Sequence, residues 1–524
     1  MRSIFLITLL VVITVAFATV PRRTRNAQAS RQLAVQLFTR QFAGARKQAS
    51  TSSGFDSSSR QVSEHFFTTS VDHFNAQNTE QWTLRYFAST DNYRQGGPIL
   101  IFLGGLNPII PELIGETTLN HEMAREWNGA LFAFESRFYG QSRLTEDVST
   151  ENLRLLSTEQ ILADLAEFVT YVKREHIGDE TARVLVAGNE LGGALAAWFR
   201  VRYPHLGHAA WASSAYMHAV LNFQDFSEAW AEALIEHGSQ ECYNEIFVAF
   251  HVLQNMIDLG RADLIYEKFN ICTPIDPENT RQVQYFFSVL MATVEMVTIY
   301  GRNVTGFAQV CQNITGTDAE TAVDAFASWF NTVYPEDSVC AGTDIAEVIE
   351  WLKETDWDFQ YNAYGLRQAL YQECTEFGFF VTTDSPSQPF GDRVTLDFYI
   401  DTCREVFGEW ITEESIQRGI DRANNRFGGD NLGSSFTHFT NGDADPWKMI
   451  SITRNLTLDA RADVIRNQLG NSDLPAMSPD DPAGLQEVKQ RLKLKLASYL
   501  FPLTPLESSV RLSLVKQLEK SSVR

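Results

Sequence analysis

The stretch "VLVAGNELGGALAAWFR", residues 184–200, constrains this chain more than any other. Residues 184–187 are an apolar, β-branched run that predicts a short buried strand, and residues 194–200 continue as a helix. Between them, Gly188 and Gly192 stand two residues either side of Glu190. A strand that passes straight into a helix through such glycines holds its central side chain on a sharp turn above a sheet. That is how a G-x-S-x-G sequence presents a nucleophilic serine. Here the centre is a glutamate, so the chain has the turn without the nucleophile.

The flanking sequence supplies a sheet for that turn. Residues 82–87 and 98–103 predict strands, the second running into Gly104-Gly105. Residues 130–134 predict another, followed by the loop "ESRFYGQS". Ser157-Thr158-Glu159-Gln160 has the form of a capping box and opens a helix to about residue 176. Ile161, Leu165, Phe168, Val169 and Val172 lie on one face of that helix. "HAAWASSA" (208–215) predicts a strand after the elbow helix. Strands alternating with helices predict a mostly parallel α/β sheet. After about residue 221 the alternation gives way to long helical patterns up to about 430, and every cysteine falls there. Strand character returns at "SSFTHFTNGDADPW" (434–447), and residues 485–500 predict a closing helix. A sheet interrupted by a disulfide-stapled helical insertion accounts for this order.

The termini and the cysteines bear on compartment. Arg2, the apolar run 4–15 and Ala16-Phe17-Ala18 form a signal peptide over 1–18, too short to span a membrane comfortably. Residues 19–62 are basic, with no acidic residue before Asp56, and serine-rich over 50–59. They are either a low-complexity linker or a propeptide processed at Arg22-Arg23-Thr24-Arg25. The six cysteines (Cys242, Cys272, Cys311, Cys340, Cys374 and Cys403) show no C-x-x-C pairing and predict three disulfides, for which sequence alone allows fifteen connectivities. Asn303, Asn313 and Asn455 head N-x-[ST] sequons, candidate glycosylation sites in a secreted chain. A net charge of −22 argues against a nucleic-acid partner. The chain has no H-x-x-x-H or H-E-x-x-H pair, and "GDNLGSS" (429–435) lacks the lysine of a phosphate loop. Neither a metal nor a nucleotide cofactor is implied, and no later run of apolar residues is long enough to suggest a membrane span.

Seven segments in order now carry a resemblance. They are "VDHFN" (71–75), "ESRFYGQS" (135–142), "LRLLSTEQILADLAEF" (153–168), "GNELGGALAAWFRVRYPH" (188–205), "ASSA" (212–215), "YQECTEFGFF" (371–380) and "NGDADPW" (441–447). On these the chain resembles the prolyl carboxypeptidase, dipeptidyl peptidase II and thymus-specific serine protease family, which includes nematode paralogues. The resemblance implies an α/β-hydrolase core, in two parts at 63–220 and 431–505, with an inserted disulfide-bonded helical cap over 221–430 and a tail over 506–524. It implies the pairs Cys242–Cys311, Cys272–Cys340 and Cys374–Cys403. It also implies serine exopeptidase chemistry beside proline, in lysosomes or outside cells, and frequent homodimers.

The catalytic parts can be counted against that pattern. The triad runs serine, acid, histidine along the chain. Asp445 in "NGDADPW" matches the acid, rather than Asp443. Glu190 stands at the serine, and a buried glutamate is a poor attacker of an amide. None of the ten histidines lies after Asp445. The nearest match to the family's histidine motif is "LDARADV" (458–464), which puts Arg461 at the base and Asp463 after it. Arginine cannot shuttle protons near neutral pH. With Glu190 and Arg461 both at family positions, the two are expected to face each other as an ion pair. His438, Ser213, Ser214 and Ser136, the last replacing a histidine usual in the family loop, offer no substitute triad. Three readings follow: a pseudopeptidase that binds peptides or proteins without cutting them, an exopeptidase with rearranged chemistry, and a structural glycoprotein with a closed cleft.

Overall fold

The computed structural model describes residues 62–299, 303–335 and 340–501. The expected signal peptide, all but the last residue of the basic segment 19–62, and the tail 506–524 lie outside the described residues.

An eight-stranded sheet runs in the order β1-β2-β4-β3-β5-β6-β9-β10. Its strands are β1 (Ser63–Ser70), β2 (Gln81–Ser89), β3 (Ile99–Leu103), β4 (Ala130–Phe134), β5 (Val184–Asn189), β6 (Ala209–Ser213), β9 (Thr437–Gly442) and β10 (Ala460–Ile465). Two short strands, β7 (Val220–Asn222) and β8 (Gly378–Phe380), form a separate parallel pair. The β1/β2 and β2/β4 pairs are antiparallel and every other pair in the large sheet is parallel. β3, β4 and β6 are buried at every position, as expected of parallel strands covered on both faces. Edge strand β1 is largely exposed over its first half.

Four helices position the core: α1 (Leu119–Glu126), α2 (Thr158–Tyr171), α3 (Glu190–Arg202) and α4 (Ala483–Leu500). They cover the two faces of the sheet, so the core divides into two apolar clusters with the strands between them. At α2 the Ser157 hydroxyl accepts the Gln160 N–H, but Gln160 does not complete a reciprocal capping box. Its side chain turns to Asp72 and to the His73 N–H instead, tying the helix to the strand edge. α2 ends in a wider turn over Val172–Ile177, closed by Gly178 at φ 69°.

Among the described residues between β7 and β9, helices joined by loops prevail, β8 is the one named strand, and the three disulfides all lie there. They pair Cys242 with Cys311, Cys272 with Cys340 and Cys374 with Cys403, the connectivity the resemblance implied. The helix Thr280–Ile299 is long and apolar enough to cross a membrane, but 89% of its apolar window is packed inside the protein. It also carries Glu295, whose two carboxyl oxygens are buried without a hydrogen bond.

A buried ionic cluster locks the "ESRFYGQS" loop to the N-terminal edge. Arg137 forks onto Asp164 of α2 at 2.6 and 2.7 Å, and His73 Nε2 meets the same carboxylate at 2.7 Å. The remaining guanidinium donors of Arg137 reach the carbonyls of Ser70, Val71 and Leu155. A fully buried guanidinium needs this complete set of acceptors.

Candidate active site

β5 passes into α3 at Glu190, whose φ is 53°. The flanking glycines are required by close backbone approach. A Cβ at Gly188 would lie 2.4 Å from the Gly192 carbonyl, and one at Gly192 would lie 2.6 Å from the Leu103 carbonyl oxygen. β5 pairs with β3 up to Leu103↔Gly188, which brings the Gly104-Gly105 turn beside the elbow. A Cβ on Gly105 would lie 3.0 Å from the Gly192 nitrogen. The backbone positions that supply oxyanion donors in a G-x-S-x-G fold, the residue after the elbow and the β3 loop, are therefore kept.

Two further loops converge on Glu190. From the turn after β6 comes Ser214 (φ 45°), and from the loop after β10 comes Asn471 (φ 63°). Asn471 Nδ2 donates to Glu190 Oε1 at 2.8 Å, and the Asn471 N–H donates to Ser214 Oγ at 3.3 Å. Asp445, on the loop after β9, accepts the Trp447 N–H at 3.1 Å and a bond from Ser214. Gly470 runs so near this carboxylate that a Cβ there would lie 2.6 Å from Asp445 Oδ2. Three non-glycine residues at positive φ thus meet in one place, a concentration of strained backbone typical of functional sites.

Burial and the neighbouring Asp445 charge push the Glu190 carboxyl well above its usual range, against the bond from Asn471. Burial also raises Asp445 to about 6, over the lowering effect of its bonds to Trp447 and Ser214. Burial thus favours the neutral form at both carboxyls, and the Asn471 amide stands against Glu190 from the loop after β10. A protonated carboxyl is not a nucleophile, and an amide cannot take and return a proton.

The structure corrects the reading at Arg461. That residue lies within β10, paired with His438 of β9, and its Nε donates to the Leu458 carbonyl at 3.0 Å. It forms no ion pair with Glu190; Asn471 makes that contact. The reason is topological. The base of this fold sits on the loop after the last strand, and "LDARADV" covers the last strand itself. Asp463 is likewise away from the elbow, held by His438 at 2.8 Å and Arg491 at 2.8 Å, which outweigh burial and keep it near 2. Ser136 Oγ donates to the Gly104 carbonyl at 3.2 Å, and Ser213 Oγ to Asp473 at 2.6 Å. Asp473 also receives Trp211 Nε1 at 3.1 Å and the Thr440 hydroxyl, anchoring the loop that carries Asn471. Among the described residues no group of His, Cys, Asp and Glu is arranged to hold a metal.

The sequence reading missed Asn471 and counted Ser214 only as no substitute for a triad member. The available signal was chain order: "GNSD" (470–473) follows the last strand, where the base belongs.

The strand order and the strand–turn–helix elbow between β5 and α3 define an α/β-hydrolase fold. Within that class, the model of the serine carboxypeptidase S28 family matches residues 69–492, and the chain belongs to this family. It is 28% identical over 447 residues to the human thymus-specific serine protease, covering 82% of this chain and 85% of that one. It is 27% identical over 448 residues to the Bos taurus lysosomal Pro-X carboxypeptidase, covering 79% and 83%. A solved proline iminopeptidase from Mycobacterium smegmatis aligns with a TM-score of 0.34 at 12% identity, covering 80% of this chain and 96% of that one.

Proposed function

We propose that this chain is a non-cleaving member of its peptidase family, exported to the lysosome or outside the cell, which binds peptide or protein ligands in the cleft above the elbow. The observation that carries the reading is the Glu190–Asn471 contact, which occupies both the nucleophile and the base positions with groups unfit for acyl transfer. The signal-like sequence 1–18 and three disulfides support export. Ligand binding is supported by the kept elbow, where Glu190 and Asn471 are only half-buried.

The test is incubation of the full chain with a proline-containing peptide library at pH 5 and pH 7, with products read by mass spectrometry. No cleavage is expected. The Glu190→Ser, Asn471→His double variant should gain cleavage, because it restores both groups at the positions that touch. Cleavage by the native chain that survives Glu190→Ala would refute the proposal. A melting temperature raised by such peptides would support binding. No shift at saturating peptide would favour a structural glycoprotein instead.

A further inference from the structure

Among the described residues the large sheet has an open edge at β10, where the sole partner strand is β9. In a parallel strand alternate residues turn both backbone polar groups to the same side. Alternate residues Ala460, Ala462 and Val464 therefore face away from β9. Such an edge is a template for pairing with another chain. Two of its three outward residues are capped by one short segment, Asn455-Leu456-Thr457. The Ala462 N–H donates to Asn455 Oδ1 at 3.0 Å, and the Ala460 N–H donates to Thr457 Oγ1 at 2.9 Å. The Leu456 N–H closes the loop on the Ala460 carbonyl at 3.0 Å. Val464, 41% exposed, is the outward residue that the described residues leave uncapped.

The capping segment is itself a sequon, and its geometry leaves the reactive atom free. Asn455 uses only its oxygen in the cap, and both Asn455 and Thr457 are exposed. Asn313 differs. It lies inside the helix Thr305–Thr315, with its Nδ2 donating to the Gln309 carbonyl at 2.8 Å and the Thr315 hydroxyl turned back to Cys311.

We infer that Asn455 carries an N-linked glycan that stands over the open edge of β10 and blocks strand pairing there with a second copy of the chain. The inference rests on the export reading above. In the modification, the Asn455 Nδ2–sugar C1 bond forms as the C1–phosphate bond of a lipid-linked oligosaccharide diphosphate breaks. The amide gives up one proton and the lipid diphosphate leaves. Asn455 Oδ1 keeps its bond to Ala462, so the sugar adds bulk without uncapping the edge.

The test uses the full chain from a secreting eukaryotic host. Glycopeptide mass spectrometry is expected to find Asn455 occupied. The Asn455→Asp variant keeps an acceptor for the Ala462 N–H but removes the sugar, and light scattering should show its mass rising toward twice that of the glycosylated chain. Enzymatic deglycosylation of the folded native protein should do the same, and it serves alone where the variant is not secreted. A glycan at Asn303 with Asn455 bare overturns the inference and leaves the export reading standing. A chain with no glycan overturns both. An occupied Asn455 whose removal leaves the mass unchanged overturns the shielding role.

Discussion

Asp445 should be a burden to this protein, and replacing it should stabilise the fold. In a working triad an imidazole donates to the acid and holds it ionised. Here the carboxyl is buried, and its bonds are to the Trp447 N–H and Ser214. Its affinity for a proton rises from 3.8 to about 6 on folding. A folded value above the unfolded one penalises the native state as the group ionises. The penalty is absent below pH 3.8, grows between 3.8 and about 6, and is complete above that. At about 1.4 kcal/mol per tenfold in proton affinity, it amounts to roughly 3 kcal/mol at pH 7. Asp445→Asn keeps the acceptor for the Trp447 N–H and removes the charge. The variant should match the native chain near pH 4 and exceed it by up to about 3 kcal/mol at pH 7.5. Urea midpoints across pH 4 to 7.5, with disulfides intact, read the difference directly. A variant less stable than the native chain at pH 7.5 would refute the reasoning, because it would mean that a donor or cation stabilises the charged acid.

His73 behaves in the opposite sense. Its bonds to Asp164 and Glu167 outweigh burial and raise it to about 9, so its contribution is present below pH 6.5 and fades as pH rises through about 9. His73→Gln should cost about 1–3 kcal/mol at pH 6 and almost nothing at pH 10, read from urea midpoints. Glu295 has two buried, unbonded oxygens, and burial pushes its carboxyl well above the usual range. Glu295→Met should therefore stabilise the protein by about 1–3 kcal/mol near neutral pH, seen as a higher melting temperature; a lower one would reveal a partner for the acid. Gly192→Ala forces a Cβ to 2.6 Å from the Leu103 carbonyl oxygen. It should lower stability by at least about 1–3 kcal/mol, and unchanged melting would show that the β3–α3 contact is looser than described.

Much of this architecture was legible because its signals are local. The elbow strand and helix, the buried runs at 99–103 and 130–134, and the closing helix are fixed by apolar pattern and glycine placement. The disulfide pairs followed from family resemblance, since spacing alone cannot choose among fifteen arrangements. Asn471 was not legible by residue type, because an asparagine on a loop is ordinarily a turn residue. Only the tertiary path of the loop after β10, pinned by Asp473 to Trp211, Ser213 and Thr440, brings it to Glu190. Arg461 drew attention for the converse reason: its segment mimics a motif in sequence while serving as the body of a strand.

The placement of the disulfides makes the molecule's durability depend on its redox surroundings. Their loops span 69, 68 and 29 residues, all in the helical segment, and none reaches the large sheet. On chain-entropy grounds each longer loop contributes about 4 kcal/mol. A thiol-rich environment would remove that support from the helical segment while leaving the strands of the large sheet untouched. Reduction would loosen the inserted helices before the sheet, so the chain would still hold the strands that identify its family after its helical part had slackened.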